Sequence, residues 1–340
     1  MRNNPRERSL SQIRFFRFIA FLLLFFILGG VFFASTWQSR WDGKRRFTLV
    51  VQNFENPKET QENAKLLIFS IEPRQSRAAY IFLPPAVILD VPYGYKSYRA
   101  SSVYTLGELD KARGGGKLLT SSIENTFGVI VDGYLVGQKN ILPFLTPKRE
   151  EMREIKRTYF SISGIGFFIS SLFSPSYMKT NLSVIDRFRL WNTMRQLRED
   201  QISFLNLGDL RVLSDAILPD KTPVLEVNKD IFDAIIKDMW EDSHVRAERI
   251  SLRIVNATNE EGVASRFSRI LEHLGGNVVE MTTAKKQEKE GCTLFITQKS
   301  LASSAIVDKL KNAYHCQLRE ENNLTETADV TLVLGENFLQ

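Results

Sequence analysis

Cysteine is nearly absent from this chain. Cys292 and Cys316 are the only 2 in 340 residues, so a fold stapled by several disulfides is excluded and the cores must hold by packing. Both lie near predicted strands, which favours buried free thiols over a bridge between them. Histidine is as scarce, with 3 positions, His244, His273 and His315. They are far apart, and no Cys, Asp or Glu cluster stands at ligand spacing beside them, so no zinc site is expected. Surface or helix-end positions are the default for them; His273 falls in the last turn of a predicted helix, where a cation is favourable. No G-x-S-x-G elbow occurs, which removes one common serine-nucleophile motif. The net charge of +6 comes without an aromatic-basic platform, so nucleic acid is not an expected partner.

A phosphate loop is lacking too. Gly114-Gly115-Gly116-Lys117 invites that reading, but Lys111 and Leu118 stand where G-x-x-x-x-G-K-[ST] needs a glycine and a hydroxyl. Two readings remain. The run is the plain start of a helix, or its free amides hold an anion. On the second reading Arg99, Arg113 and Lys117 are the cations expected to contact phosphate.

What the chain does have is a long apolar run, Ile19 to Ala34, behind an arginine-rich start. Extended to Ile13 it spans about 33 Å at about 1.5 Å per residue, enough to cross a hydrocarbon core of about 30 Å. Arg14 and Arg17 lie at one end, where long side chains snorkel to the headgroups. A cleaved signal peptide ends in small residues; here Val31-Phe32-Phe33-Ala34-Ser35 puts bulky Phe32 at the exit, so a retained anchor is expected. A short tail before a first span stays inside, which leaves the N-terminus cytoplasmic and the bulk of the chain extracytoplasmic. Trp37 and Trp41 read as interfacial anchors, and Lys44-Arg45-Arg46 as charge beside anionic lipid. The resulting organisation is a tail (1–12), a transmembrane anchor (13–34), a neck (35–46), a first domain (47–240), a linker (241–249) and a C-terminal domain (250–338).

The first domain carries nearly continuous apolar runs at Phe47–Gln52, Lys65–Ile71 and Ala78–Leu83. Such runs predict strands covered on both faces, as in a layered α/β domain with a mixed sheet. Helices are predicted at 117–126, 147–160, 181–197 and 231–239, and further strands at 87–91, 129–134 and 224–227. The apolar stretch Tyr159–Phe173, rich in serine, reads as a half-buried helix of the same domain rather than a second span. In the C-terminal domain Ile250, Leu252 and Ile254 alternate as a strand, Thr258 and Glu261 suggest a capping box, and Val263, Phe267, Ile270, Leu271 and Leu274 form one helical face. Strands at 278–279, 294–296 and 330–334 and a helix around 306–313 complete a βαββαβ-like order.

Ser251–Gly335 resembles the C-terminal domain found behind LytR-CpsA-Psr proteins of bacterial envelopes. The resemblance rests on Leu252-Arg-Ile-Val-Asn-Ala-Thr258, on Gly262-Val-Ala264 and on Ala328-Asp-Val-Thr-Leu-Val-Leu-Gly335; Ala257 replaces the glycine of the family's V-L-N-G-T. Upstream, Leu67-Ile-Phe-Ser-Ile-Glu-Pro73, Phe82-Leu-Pro-Pro85, Gly114-Gly115 with Phe127-Gly-Val-Ile-Val-Asp-Gly-Tyr134, and Lys179-Thr-Asn-Leu-Ser183 follow the order of short motifs in that family's catalytic domain. The resemblance implies transfer of glycan polymers from a polyprenyl-pyrophosphate carrier to a wall acceptor. That chemistry needs arginines on the pyrophosphate and carboxylates holding a divalent metal.

Position by position, the catalytic groups are missing. The arginine and aspartate of the family's S-I-P-R-D fall on Pro85 and Ala86, its early aspartate near Asn53, and its R-x-D-T on Gln61-Glu-Asn-Ala64. Proline cannot replace a guanidinium fork. The expectation is a fold retained without the catalytic apparatus: a membrane-anchored envelope protein that binds, scaffolds or regulates in wall or surface-polymer assembly. Its expected partners are the membrane, a polyprenyl-phosphate lipid, a cell-wall glycan or another envelope protein. No cofactor is expected. Magnesium enters only on the alternative, an active transferase using displaced arginines such as Arg74, Arg77 or Arg99.

Overall fold

The computed structural model describes residues 39–54, 64–110, 112–138, 149–166, 178–320 and 328–339, with residues 19, 29 and 30. Most of the expected anchor, 13–34, lies outside them, as do Trp37 and the stretch from Phe167 to Phe173. Among the described residues no helix is long and apolar enough to cross a membrane.

The three apolar runs of the first domain form β1 (Phe47–Phe54), β2 (Lys65–Glu72) and β3 (Arg77–Leu83). They are followed by β4 (Ile88–Val91), β5 (Lys96–Arg99), helices α1 (Ala100–Leu109) and α2 (Gly115–Phe127), β6 (Gly133–Gln138), α3 (Arg149–Tyr159), β7 (Met178–Thr180) and α4 (Val184–Gln196). Next come β8 (Ile202–Asn206), the hairpin β9 (Leu213–Ile217) and β10 (Pro223–Val227), and helices α5 (Lys229–Trp240) and α6 (Ser243–Glu248). A mixed sheet runs β7-β6-β1-β2-β3-β8. In it β2 is antiparallel to β1 and β3, while β6 and β8 join in parallel.

The continuous apolarity of these strands has its expected cause, since the sheet is buried on both faces. On one face Val50, Ile68 and Ile81 pack with Val103 of α1, Leu119 and Ile123 of α2, and Phe232 and Trp240 of α5. On the other, Leu49, Leu67, Phe69 and Tyr80 pack with Met152 and Ile155 of α3 and Met194 of α4. The layered, mixed α/β reading of this domain therefore holds. The strand expected from Val129 begins only at Gly133. Asp132 intervenes, its backbone N–H donating to Thr48 O (2.8 Å) and its carboxylate accepting Thr48 N–H (2.8 Å).

The C-terminal domain contains β11 (Ser251–Asn256), α7 (Val263–His273), β12 (Asn277–Thr283), β13 (Cys292–Ile296), α8 (Ala305–Tyr314), β14 (Gln317–Glu320) and β15 (Val330–Leu334). Its sheet order is β12-β11-β15-β13-β14. Strand β14 is an addition to the expected βαββαβ order, and Gln317-Leu-Arg-Glu320 is too short and polar to announce it. The expected capping box is not formed. The Thr258 hydroxyl donates to Asn256 Oδ1 (2.8 Å) and accepts Glu260 N–H (3.1 Å), while α7 starts after Gly262, whose φ is +78°.

Cys292 and Cys316 are bonded to each other, with Cα atoms 4.5 Å apart. This overturns the expectation of free thiols. Thr293 pairs with Gln317 across β13 and β14, so the parallel register sets the two preceding cysteines side by side. The neck also departs from expectation. Trp41 is buried, stacks on Phe47 at 4.9 Å and donates from Nε1 to Arg45 O (2.8 Å). Arg46 is buried on Glu72 (2.5 Å). Both residues serve the fold rather than the lipid surface, because the neck folds back onto the sheet.

The two domains pack together. Arg269 of α7 pairs with Asp233 of α5 (2.6 and 2.5 Å) and donates to Thr126 O (2.9 Å). His273 lies in the last turn of α7, as expected, but it is buried there, with Nδ1 2.7 Å from Gly128 O, and so belongs to the interface. Lys309 of α8 pairs with Asp132 (2.6 Å) and donates to Arg46 O (3.2 Å). Ile130 completes the C-terminal core.

The bridge yields a direct test. The denatured chain is expected to show no thiol reactive with Ellman's reagent until it is reduced. Its closed loop, with a sequence separation of 24, implies a loss of about 3.5 kcal/mol on reduction in the chain-entropy picture, seen as a lower denaturation temperature.

Candidate functional site

The structure separates the three cations expected at a phosphate. Arg99 precedes α1 and turns toward the β9–β10 hairpin, donating from Nη2 to Pro223 O (2.8 Å). Arg113 and Lys117 instead meet at Tyr93. The Arg113 guanidinium lies 4.4 Å from the Tyr93 ring centroid and the Lys117 ammonium 5.7 Å, both within cation–π range. Arg113 also pairs with Asp110 (3.0 Å), which accepts the Tyr95 hydroxyl (3.0 Å). These hydrogen bonds, that from Arg113 foremost, hold the Asp110 carboxyl below its usual range.

The glycine run is explained by packing. A Cβ on Gly116 would lie 2.1 Å from the Tyr134 ring, and one on Gly107 2.6 Å from Gly115 Cα. Only bare backbone lets α1, α2 and Tyr134 approach so closely. The start of α2 is also supplied with an anion by the chain itself, because Glu108 Oε1 accepts Gly115 N–H (3.0 Å). A phosphate at those amides would meet Glu108 first, so the helix-start reading of Gly114–Gly116 takes precedence.

The positions matching the family's catalytic motif lie elsewhere, at the ends of β1 and β3. There Val87 N–H closes a turn on Pro84 O (3.1 Å) and Leu225 N–H donates to Ala86 O (3.0 Å). Pro85 and Ala86 thus sit in a turn tied to β10. Asn53 Oδ1 accepts Lys65 N–H (3.0 Å) and Gln52 Nε2 donates to Ser101 O (3.0 Å). None of Pro85, Ala86 and Asn53 is a carboxylate or a cation, so the family's divalent metal and pyrophosphate do not fit them; Gln61 to Asn63, matched to R-x-D-T, lie outside the described residues. Among the described residues no group of three or more His, Cys, Asp or Glu is arranged to hold a metal ion. Arg74 and Arg77 stand at the opposite end of β3, about 25 Å away at about 3.3 Å per residue.

Arg113, Lys117 and Tyr93 belong to a cleft of about 1160 Å³ between the two domains. One wall is α2 with Tyr134 and Asn181; the other is α7 and the end of α8, with Arg266, Phe267, Tyr314 and Phe338. The three aromatic rings of the second wall form a cluster with centroids 4.9 to 5.6 Å apart. Glu124 and Asp132 also line the cleft. Burial pushes the Glu124 carboxyl up to about 8; the hydrogen bond from Val131 N–H opposes this, nearby Asp132 adds to it and Lys309 opposes it. The Tyr314 hydroxyl is buried with no hydrogen-bond partner, and burial raises its pKa well above the usual value.

Residues 249–338 match the LytR cell envelope-related transcriptional attenuator family. They are a LytR-type C-terminal domain. The resemblance noted for Ser251–Gly335 is thereby borne out. No curated protein matches the sequence. Similar solved structures include the transcriptional regulator yvhJ from Bacillus subtilis, 13% identical, with 58% of this chain and 96% of that one covered at a TM-score of 0.40. B. subtilis TagT is 12% identical, with 58% and 91% covered and a TM-score of 0.39. B. subtilis TagV is 12% identical, with 69% and 99% covered and a TM-score of 0.43. At these values function is argued from the residues.

The LytR-type domain therefore completes the cleft, supplying its aromatic wall. Chemically the cleft offers ring faces, two cations at Tyr93, a carboxyl protonated at neutral pH and an unpaired hydroxyl. Asp90, Glu108, Asp132 and Glu260 line the same cleft, so the set suits a polar ligand whose negative charge falls at Arg113 and Lys117. Sequence reasoning named Arg113 and Lys117 through the glycine run, and the structure brings both to Tyr93. It missed Glu124, Tyr134 and Tyr314, whose only signal was their place on predicted helices or strands.

Glu124 also sets a pH dependence. Its folded value of about 8 lies above the ordinary 4.5, so between these values the folded state holds the proton and the unfolded state does not. The contribution is complete below about 4.5 and is lost as pH rises through about 8. Glu124→Gln is expected to flatten the fall in denaturation temperature across that window, at about 2–4 °C per kcal/mol for a domain of this size. An unchanged slope would show that Glu124 titrates normally.

Proposed function

We propose that this chain is a cell-envelope protein, anchored through residues 13–34 with its bulk outside the cytoplasm, that binds a phosphate-bearing wall glycan or its lipid-linked form without transferring it. The observation that carries the non-catalytic part is the turn at Pro84–Val87. By the motif resemblance its proline and alanine stand for the arginine and aspartate of a LytR-CpsA-Psr transferase, and its backbone is bonded to β10, which supports this reading. The displaced-arginine alternative lacks support, because Arg77 pairs with Glu72 (3.3 Å), Arg74 contacts His244, and Arg99 bonds to Pro223 O. Arg74 and Arg77 stand away from the end of β3; Arg99 does lie beside the Pro84–Val87 turn, where Ala100 N–H donates to Val87 O (2.7 Å), but its Nη2 is held by Pro223 O.

The extracytoplasmic placement draws support from the Cys292–Cys316 bridge, since structural disulfides persist in oxidising compartments. The envelope role draws support from the LytR-type domain. For the ligand class, TagT has been solved bound to LIIa-WTA and to LI-WTA, which makes a wall glycopolymer the first candidate here. The interdomain cleft is the binding site this reading favours, with Arg113 and Lys117 on the phosphate and the rings of the LytR-type domain on sugar faces.

The test is native mass spectrometry and direct binding on the full chain in detergent. A polyprenyl phosphate or phosphate-bearing glycan is expected to bind. The double variant Arg113→Ala, Lys117→Ala is expected to weaken it by at least about tenfold, from the loss of two charge-assisted contacts. Transfer of glycan to a wall acceptor in the presence of magnesium would overturn the non-catalytic reading. Full-strength binding by the double variant would overturn the site.

A further inference from the structure

The neck is clamped to the start of α4. Ser39 Oγ donates to Asp186 Oδ1 (2.7 Å), and the N–H groups of Arg40 and Trp41 donate to the same carboxylate (3.1 and 3.2 Å). Arg189 donates to Ser39 Oγ (2.8 Å) and to Trp41 O. Asp186 is 0% exposed and is also the capping-box partner of Ser183, so this clamp is rigid and spent. The apolar run ends at Ala34. From there to Ser39 the chain reaches at most about 17 Å, at about 3.5 Å per residue.

The surface beside the clamp has the composition of a lipid-contacting face. Phe188 is 45% exposed, Ile162 72% and Ile165 39%. The loop that carries the two isoleucines is tied to α4 through Trp191 Nε1, which donates to Tyr159 O (2.9 Å), and Trp191 stacks on Phe188. Arg157 of α3, Lys179 of β7 and Arg195 of α4 are exposed, and Arg187 of α4 is half-buried. Across residues 155–166 and 178–196 the sole carboxylate is Asp186, which is buried in the clamp. Apolar tips beside these cations match an anionic headgroup layer.

We propose that this face, from the 160–166 loop to the first turns of α4, rests on the lipid headgroups of the membrane that holds the anchor. The inference rests on the anchored reading of residues 13–34. The occupant is a bilayer surface, chosen by the short tether and the charge. Arg40, flanked by the clamped Ser39 and Trp41, lines the interdomain cleft. The cleft therefore opens beside the same face, where the headgroup of a lipid-linked glycan lies within reach.

The experiment uses the full chain in phosphatidylcholine–phosphatidylglycerol vesicles. Its native cysteines are bridged, so an introduced cysteine takes an NBD label alone. Ile162→Cys, Phe188→Cys and Gly30→Cys are labelled, with Ile217→Cys as the control. Ile217 is 75% exposed on the hairpin that packs on the other side of the sheet. Lipids carrying a doxyl quencher are expected to reduce emission at least twofold at 30, 162 and 188 and to leave 217 unchanged. Quenching at 30 without quenching at 162 and 188 overturns the proposed face while the anchor stands. Equal quenching at 217 also overturns it, since the domain then has no preferred side. Absence of quenching at 30 overturns the anchored reading and the face with it.

Discussion

The docking of α7 against the C-terminal end of α2 is the contact on which the cleft depends. It is built around Asp233, which receives both guanidinium branches of Arg269 and lies 3.3 Å from His273 Nε2. Burial works against that carboxylate, but the hydrogen bonds from His273 and Arg269 win, and its pKa is lowered. The pairing thus favours the docked state above the ordinary carboxylate range and weakens as pH falls through the lowered value. Gly128 makes the approach possible. At φ +65° it ends α2 in the left-handed region, and a Cβ there would crowd Arg269 Cγ at 3.0 Å and His273 Nδ1 at 3.1 Å. A half-buried ion pair of this kind is costly to break from one side, because the remaining charge is left without its partner. Specific geometry rather than apolar area therefore sets the width of the cleft.

A second joint works through the neck. Arg46 bonds Glu72 in the first sheet and Glu241 O at the start of the linker, and its own carbonyl receives Lys309 of the LytR-type domain. The segment that leads to the apolar run is thereby woven into both domains. Movement of the neck relative to either domain would have to break buried charge-assisted bonds, which binds the orientation of the cleft to that of the neck.

Much of the architecture was legible because burial writes itself into composition. β1, β2 and β3 are apolar on both faces, and the sequence runs of Phe47–Gln52, Lys65–Ile71 and Ala78–Leu83 follow directly. The alternation along β11 and the helical face of α7 were equally plain. Helix α1 was missed because Ala100-Ser-Ser-Val-Tyr-Thr-Leu-Gly107 is rich in small and hydroxyl residues and shows little periodicity. Strands β8, β9 and β14 were missed because their half-exposed residues mix polar and apolar types. The site was legible only where it touched a local motif. Arg113 and Lys117 flank the glycine run, but Arg99 shares only sequence proximity with them, and the hairpin that takes it away lies some hundred residues downstream. Arg269 and Asp233 form their pair from different domains, and no window of sequence contains that geometry.

The parallel pairings carry a consequence for the order of assembly. β3 takes its outer neighbour from β8, with Ala78 beside Ile202 and Phe82 beside Asn206, and β11 takes β15 in the same way, Leu252 beside Val330. Neither strand can complete its ladder until a long intervening stretch has been synthesised, and closing such loops is entropically slow. The first sheet therefore finishes only after Asn206 emerges, and the second only after Leu334 does. Until then β3 and β11 are open edges of strongly apolar strands, the state in which a chain of this topology is most exposed to misassociation.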